Sequence, residues 1–240
     1  MNFPFGSTTP KTPLAFEDSF EGSALDGSKW EAQKWPAGAV NNELQRYEPG
    51  LATVADNILT IEARKDDNGK WVSSRLHLLA DHQRRYGWFE ATIRCPQAAG
   101  AWPAFWLLGR ESKGHDWPAV GEIDILEAIN SEFVAHGAGH GPKEDGSHWG
   151  VDVYKKTLNV TQWHTYAVDV RDCNIDFYID SKKVGNLQPT KIPEGGVWPF
   201  NDNEYYMILN LAVGGDYPGP PDASTPDRLT MQVKNVRIYE

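Results

Sequence analysis

Residues 121–127 read Gly-Glu-Ile-Asp-Ile-Leu-Glu and place three carboxylates, Glu122, Asp124 and Glu127, within six positions. Side chains alternate between the two faces of a strand, so Glu122 and Asp124 share one face while the two isoleucines point the other way. Glu127 rejoins that face if a β-bulge near residues 125–126 adds one residue to the strand. We therefore predict a strand that carries three carboxyl groups on a solvated face and apolar side chains toward a core.

Short β-rich runs recur on both sides of this strand, separated by glycine, proline, asparagine and aspartate, and no long segment carries a helical apolar stripe. This pattern predicts an all-β sandwich. There is no internal repeat or break in composition, so we expect one domain over residues 14–240 after a flexible leader at residues 1–13. The predicted strands are 58–63, 75–79, 87–94, 105–108, 122–127, 165–170, 175–179, 205–211 and 231–239.

The composition excludes several classes of function. The 240-residue chain has a net charge of −10, which argues against nucleic acid as a partner. No stretch is long and apolar enough for a transmembrane helix, so we expect no membrane insertion. The two cysteines, Cys95 and Cys173, form either one bridge or two free buried thiols. Ten tryptophans, nine tyrosines and nine phenylalanines fit either core packing or stacking on sugar rings.

Three carboxyl groups on one face suit glycoside hydrolysis. A retaining glycosidase needs two carboxyl groups about 5–5.5 Å apart, one to attack the anomeric carbon and one to protonate the leaving oxygen. A third carboxyl between them can hydrogen-bond the nucleophile and, by crowding, help to keep the acid protonated. The alternatives are exposed acids on a solvated edge strand, or a metal site. A hard cation would want more oxygen ligands than this strand supplies.

The sequence resembles glycoside hydrolase family 16, in particular its laminarinase-like endo-β-1,3-glucanases, from about residue 16 to residue 240. Glu122, Asp124 and Glu127 match the family signature E-x-D-x-x-E. Further matches are Asn-Asn-Glu-Leu-Gln at 41–45, Tyr-Gly-Trp-Phe-Glu-Ala at 86–91, Trp-Pro-Ala-Phe-Trp at 102–106, Trp-Pro at 117–118, His-Gly-Pro at 140–142 and Asn-Leu-Ala-Val-Gly-Gly at 210–215.

The resemblance implies a β-jelly roll of two curved antiparallel sheets with a sugar cleft on the concave face. It implies retaining hydrolysis of β-1,3-glucan, with Glu122 as nucleophile, Glu127 as acid/base and Asp124 tuning the pair. The expected partner is a polysaccharide, and we expect a monomer that is secreted or periplasmic. A mixed-linkage β-1,3-1,4-glucanase and a β-glucan-binding protein without activity are the alternatives. Agarase or carrageenase activity is less expected, because the acidic chain has no obvious basic cluster for sulfate.

The same resemblance and the strand pattern nominate residues for the cleft. Several of them have an ordinary structural alternative: Trp102 and Trp106 could be core, Asn42 could cap a turn, Arg75 could form a surface ion pair, and His140 could be a hydrogen-bonded structural histidine. Glycine-rich and proline-rich loops at 139–150 and 216–226 are predicted cleft walls, and Trp149 is a further stacking candidate. The predicted substrate-binding residues are Asn42, Glu43, Arg75, Trp102, Trp106, Trp117 and His140.

The resemblance also bears on metal. Many members of the family carry a structural calcium bound by an aspartate of the last strand, where this chain has Lys234. A lysine supplies no oxygen ligand and its ammonium repels a cation. We therefore predict no metal, with Lys234 either donating to the backbone carbonyls that calcium would bridge or pointing to solvent.

Overall fold

The computed structural model describes residues 13–240, and these form two packed β-sheets. The strands are β1 (Leu14–Asp18), β2 (Trp30–Ala32), β3 (Arg46–Tyr47), β4 (Ala52–Ala55), β5 (Ile58–Lys65), β6 (Trp71–Ser73), β7 (Arg75–Leu78), β8 (Gly87–Arg94), β9 (Ala101–Gly109), β10 (Glu122–Glu127), β11 (Val134–Pro142), β12 (His148–Thr157), β13 (His164–Arg171), β14 (Asn174–Ile179), β15 (Lys182–Leu187), β16 (Tyr205–Val213) and β17 (Arg228–Tyr239). Two single 3₁₀ turns, Ala80–His82 and Pro189–Lys191, are the helices of this part of the chain.

The two sheets confirm the all-β sandwich predicted from the sequence. One has ten strands, with the path β15-β14-β13-β8-β17-β5-β6-β3 and with β1 and β4 added at β17 and β5. The other has seven strands in the order β12-β11-β10-β9-β16-β7-β2. Pairing is antiparallel except between the short strands β3 and β6. The bulged strand β10 lies in the middle of the seven-stranded sheet, where neighbours on both sides fix its register.

The core lies between the sheets and follows the alternation of side chains along the strands. Ile123, Ile125 and Leu126 of β10 are at most 1% exposed and pack into it, as do Phe105 and Leu107 of β9. Burial of such side chains stabilises the fold by about 1.5–3 kcal/mol each. The outer face of the seven-stranded sheet is therefore left for polar side chains and for the cleft.

Several strands extend beyond their predicted bounds, and others are not among the predicted strands. β9 begins at residue 101 rather than 105, so it contains the whole Trp-Pro-Ala-Phe-Trp segment. Residues 139–150, predicted as a loop, are mostly the ends of β11 and β12, joined by a turn at 143–147. Two of the glycines that suggested a loop serve packing instead, because a Cβ on Gly139 would overlap Leu187 and a Cβ on Gly141 would overlap the ring of Trp149. The predicted loop at 216–226 is indeed irregular.

Several smaller expectations can also be compared with the structure. Cys95 is buried and Cys173 exposed, and both thiols are free, so neither sequence alternative describes the pair fully. The predicted leader lies outside the described residues except for Pro13, whose carbonyl accepts the backbone N–H of Glu240 at 3.2 Å. Within residues 13–240, no helix has the length and apolar character needed to cross a membrane.

Candidate functional site

The three carboxylates of β10 lie together on the floor of a cleft of about 670 Å³. The pairing register with β9 shifts between Asp124 and Leu126, and the register with β11 shifts between Asp124 and Glu127. This is the predicted bulge, and it turns Glu127 to the same face as Glu122 and Asp124. Glu122 and Glu127 are partly exposed, whereas Asp124 is 5% exposed. We call these three residues the acidic cluster.

Trp102 and Trp106 lie on the cleft face of β9, the strand beside the acidic cluster. They and Ala104 line the cleft, while Phe105 between them is fully buried in the core. The indole N–H of Trp102 donates a 2.8 Å hydrogen bond to Oε1 of Glu127. Both tryptophans therefore belong to the site rather than to the core.

A chain of hydrogen bonds fixes the half of the cleft that lies toward β7, which we call the closed half. The indole N–H of Trp106 donates to Oδ1 of Asn210 at 2.7 Å, and the Asn210 amide donates to the Tyr47 hydroxyl at 3.1 Å. The Tyr47 hydroxyl donates in turn to Oε2 of Glu43 at 3.4 Å. Glu43 is 7% exposed and also accepts from Gln45 at 2.6 Å. Burial raises the pKa of Glu43, although these hydrogen bonds act to lower it.

Arg75 completes the closed half as a guanidinium between two indole rings. Its Cζ lies 4.6 Å from the ring centroids of both Trp35 and Trp106, and its Nε donates to Gln33 at 2.6 Å. Each stacking contact contributes about 0.5–2 kcal/mol when water is excluded, and Arg75 is only 6% exposed. The side chain lines the cleft, and it forms no ion pair with any residue of the described part of the chain. The sandwich holds the guanidinium in one orientation.

His140 approaches the acidic cluster from β11. Its Nε2 lies 3.2 Å from Oδ2 of Asp124, although that oxygen accepts no hydrogen bond of good geometry. The ring packs over Gly150 of β12, where a Cβ would come within 2.7 Å of Nδ1. The glycine therefore lets the imidazole lie against β12 and face Asp124.

The acidic cluster resists ionisation. Burial, and then the charge of Asp124, raise the pKa of Glu122 to about 8. Burial raises the pKa of Glu127 to about 7, although the Trp102 hydrogen bond acts in the opposite direction. Burial, and then the charge of Glu127, raise the pKa of Asp124 well above its usual range. At neutral pH the cluster therefore retains protons, which the acid of a glycosidase requires, whereas the nucleophile must act as a carboxylate.

Two places in the structure bear on metal binding. Glu122, Asp124 and His140 offer ligand atoms within 4.8 Å of one another. Three ligands at a partly protonated cluster are fewer than a hard cation prefers. On the opposite sheet, Nζ of Lys234 lies 4.4 Å from the ring centroid of Trp163. The contact that the described residues record for the Lys234 ammonium is thus with an indole ring, and the replacement of a calcium ion by Lys234 stays a prediction.

The other predicted residues divide between the cleft and the scaffold. Trp117 is 43% exposed at the cleft rim, with its ring centroid 5.1 Å from that of His148. Asn42 does not line the cleft. Its amide donates to both carboxylate oxygens of Asp216 at 3.0 and 3.1 Å, which ties two loops together. Trp149 is 2% exposed and packs in the core against Phe200, so it offers no stacking surface.

Sequence reasoning missed several side chains that line the cleft. Tyr47 lies in a segment with no polar pattern that marks it, and Asn210 begins the matched segment 210–215 but was not assigned to the cleft. Asp152 lies in β12, whose first residues were predicted to be part of a loop. Tyr217 lies in the loop 216–226, which was predicted to form a cleft wall without any residue of it being assigned to the site. The Tyr217 ring packs on Trp102, with ring centroids 5.4 Å apart, and the Tyr217 hydroxyl lies 3.4 Å from Nδ1 of the buried His136. The additional lining residues include Trp35, Val40, Asn41, Tyr47, Glu111, His148, Asp152, Asn210 and Tyr217.

Comparisons with known proteins agree with this site. The chain is 31% identical over 95% of its length to a glucan endo-1,3-beta-glucosidase A1 of Niallia circulans, and covers 38% of that protein. It is 32% identical over 96% of its length to a beta-glucanase of Rhodothermus marinus, covering 86% of it. The chain spans 38% and 35% of the lengths of the first two curated relatives that it matches.

Solved structures and a family model point the same way. The structure superposes on the catalytic domain of an endo-1,3-beta-glucanase (laminarinase) from Thermotoga petrophila with a TM-score of 0.85 and 29% identity, covering 95% of this chain and 98% of that one. The model of glycosyl hydrolases family 16 matches residues 41–232, which include the acidic cluster and both halves of the cleft. The chain belongs to glycosyl hydrolases family 16.

Proposed function

We propose that this protein is a retaining endo-β-1,3-glucanase of the laminarinase type. The observation that carries the proposal is the bulged strand β10, which brings Glu122 and Glu127 to one cleft floor with Asp124 buried between them. An open cleft, rather than an enclosed pocket, suits a polymer that extends beyond both sides of the cleaved bond. The names of the relatives from Niallia circulans and Thermotoga petrophila support β-1,3-glucan as the substrate.

The reaction proceeds in two displacements. The Glu122 carboxylate attacks the anomeric carbon while Glu127 gives its proton to the glycosidic oxygen, so the bond to the leaving sugar breaks and a glycosyl ester forms on Glu122. Glu127, now a carboxylate, takes a proton from water. The resulting hydroxide attacks the anomeric carbon, releases Glu122 as a carboxylate and restores the β configuration.

The remaining side chains support these two steps. In the first displacement Glu122 acts as the ionised member of its pair with Asp124, so the proton that the pair retains is held by Asp124. Trp102 fixes the Glu127 carboxyl by its 2.8 Å hydrogen bond. Arg75, Trp106 and Glu43 present a rigid set of donors, acceptors and ring faces to the glycosyl unit that becomes attached. No metal takes part in either displacement.

The wider assignment follows from the same activity. We propose that residues 14–240 act as a single catalytic domain and as a monomer. The partner is a soluble or cell-wall β-glucan outside the cytoplasm, so the protein works as a secreted or periplasmic enzyme. The net charge of −10 supports a neutral polysaccharide over a polyanion.

Product analysis on four polysaccharides tests the proposal. Laminarin, barley mixed-linkage glucan, agarose and carrageenan are incubated in parallel, and the reducing ends and oligosaccharides are measured. We expect oligosaccharides with retained β configuration from laminarin, as followed by proton NMR of the first products. Faster cleavage of the barley glucan would assign a mixed-linkage glucanase instead. Binding to laminarin without new reducing ends would assign a glucan-binding protein.

A further inference from the structure

The half of the cleft toward β12, which we call the open half, differs in construction from the closed half. Two rows of side chains cross the sheet. One row runs from Trp106 through Asp124 and Ala138 to Asp152, and the other runs from Glu122 through His140 to Gly150. Ala138 has almost no side chain, so the floor beyond β10 is low along its row and has room for a sugar ring, while Gly150 in the other row makes room for the His140 imidazole. Ala138, Gly150 and Asp152 line the cleft.

Asp152 reaches this open half because of the register of β12. His148, Gly150 and Asp152 alternate toward the cleft, while Trp149 points into the core. The register shifts just after Asp152, so that Tyr154 turns inward and its hydroxyl donates to the carbonyl of Ile125 at 2.6 Å. Since β12 is two strands from β10, Asp152 lies about 10 Å from Asp124 across the sheet.

The Asp152 carboxylate is the polar group of this half that has no partner in the described chain. It is exposed and takes part in no hydrogen bond or ion pair there, in contrast to Glu43, whose oxygens accept from Gln45, Asn41 and Tyr47. Asp152 stands in the same cross-strand row as Asp124 and lines the same cleft as Glu127. It therefore offers free acceptor oxygens on the β12 side of the acidic cluster.

The construction of the two halves indicates which one holds the leaving sugar. The glycosyl unit is distorted and carries the developing charge, so it needs the more rigid and more fully hydrogen-bonded environment. That environment is the closed half. The leaving sugar must be released after each first displacement, and the open half offers it a shallow floor and few fixed contacts.

Charge in the open half also restricts its ligand. The cation that lines the described cleft is the Arg75 guanidinium, held between Trp35 and Trp106 in the closed half. The open half carries Asp152 and faces Glu127, with the imidazoles of His140 and His148 as its basic groups. A sulfate or uronate group there would meet like charge, and the described residues that line this half include no lysine or arginine to pair with it. Lys155, further along β12, pairs instead with Glu132 at 3.8 Å.

We propose that Asp152 is a specificity-determining residue of the leaving-group half, where it accepts hydrogen bonds from hydroxyl groups of a neutral sugar and excludes anionic sugars. This inference rests on the proposed glucanase activity and extends it to the acceptor side.

The test separates a sugar leaving group from an aromatic one on the same donor. We compare laminaritetraose with 2,4-dinitrophenyl β-laminaribioside for the wild type and for Asp152→Ala, with Asp67→Asn as a control at an exposed turn outside the cleft. We expect Asp152→Ala to lower kcat/KM on laminaritetraose about tenfold, the usual effect of one hydrogen bond to a charged group. On the aryl glycoside the value should stay within about twofold, because that leaving group has no hydroxyl to donate.

Transfer to added acceptors tests the charge directly. With the aryl glycoside as donor, the ratio of transfer to hydrolysis is measured with methyl β-glucoside and with methyl β-glucuronide. Asp152→Asn should raise transfer to the glucuronide by about threefold or more relative to the glucoside, as expected for removal of one like charge, whereas Asp67→Asn should leave the ratio unchanged. Equal losses on both donors, or an unchanged acceptor ratio in Asp152→Asn, would overturn the assignment. If the wild type cleaves neither laminaritetraose nor the aryl glycoside, the proposed function itself is refuted.

Discussion

The indole N–H of Trp102 lies 2.8 Å from Oε1 of Glu127, on the neighbouring strand, and donates a hydrogen bond to it. A donor of this kind stabilises the carboxylate more than the carboxylic acid and so acts against the burial that raises the pKa of Glu127. Trp102 thus sets how readily the proposed acid/base loses its proton, in addition to offering a ring face to the sugar. The tryptophan links the binding surface to the proton chemistry.

This relationship predicts the effect of Trp102→Phe on the pH–rate profile. Loss of the N–H donor should raise the pKa of Glu127, so the protonated acid should persist to higher pH. We expect the alkaline limb of kcat/KM, set near pH 7 in the wild type, to move up by about one unit. The measurement is the pH dependence of kcat/KM on laminarin from pH 4 to pH 10. A limb that stays in place or moves down would contradict this role for the hydrogen bond.

Glu122→Ala and Glu127→Ala should differ on activated substrates. Both variants should lose several orders of magnitude of activity on laminarin, because each removes a group that acts in the transition state. On 2,4-dinitrophenyl β-laminaribioside, which needs little protonation, Glu127→Ala should still form the glycosyl ester, and azide should restore turnover as a β-glycosyl azide. Glu122→Ala should give no β-azide product. Identical behaviour of the two variants on the aryl glycoside would reverse or remove the role assignment.

The bulge on β10 could be predicted because it depends on local alternation alone. Three acids at positions 122, 124 and 127 share a face only if the strand gains a residue, and the structure places the irregularity at residues 125–126. The side of the strand that faces the core could be predicted in the same way, since the two isoleucines alternate with the acids along the strand.

Other parts of the site depend on contacts between distant segments, which no local pattern records. Arg75 stacks on Trp35, a loop residue forty positions earlier that has no sequence pattern of its own. Asn42 was assigned to the cleft through a motif it shares with its neighbours, yet its backbone has a φ of +52° and its side chain turns to Asp216. Much of the hairpin of β11 and β12 was predicted as a loop because it is rich in glycine. In the structure, two glycines of the hairpin instead make room for the side chains of Tyr154 and His140.

Trp117 should contribute to substrate binding and little to stability. Its side chain is 43% exposed at the rim, so removing it opens no cavity in the core. Stacking of an aromatic ring on a flat ligand contributes about 1–3 kcal/mol, and Trp117→Ala should therefore raise KM on laminarin by about tenfold or more. Trp117→Phe, which keeps a ring, should recover part of this loss. A drop in Tm of several degrees with an unchanged KM would place Trp117 in the scaffold instead.

The acidic cluster should make stability depend on pH. A carboxyl group whose pKa is raised on folding binds its proton more tightly in the folded state than in the unfolded state. Its favourable contribution to the free energy of unfolding is therefore fully present below the unfolded pKa, and it is lost as the pH rises through the folded pKa. For Glu122 this window runs from 4.5 to about 8. Glu122→Gln has no proton to lose, so its Tm relative to the wild type should rise between pH 5 and pH 8, by about 3 °C or more.

The matched control for this effect is Glu194→Gln, at an exposed turn position that lies outside the cleft. Its Tm should follow that of the wild type at every pH. If the Tm of Glu122→Gln also follows that of the wild type across this pH window, burial does not raise the pKa of Glu122 enough to affect stability.

Removal of metal should change neither stability nor activity. Lys234 stands where the resemblance places a calcium-binding aspartate, and its ammonium lies over the Trp163 ring, so the position has a fixed positive charge and lacks that carboxylate. The cluster of Glu122, Asp124 and His140 could attract a cation, but a cation there would block attack by Glu122. We therefore expect Tm values in EDTA and in excess calcium to agree within about 1 °C, a difference that corresponds to well under 1 kcal/mol. A higher Tm in calcium would reveal a structural ion. Loss of activity in EDTA at an unchanged Tm, restored by a divalent cation, would instead show that the acidic cluster works as a metal site.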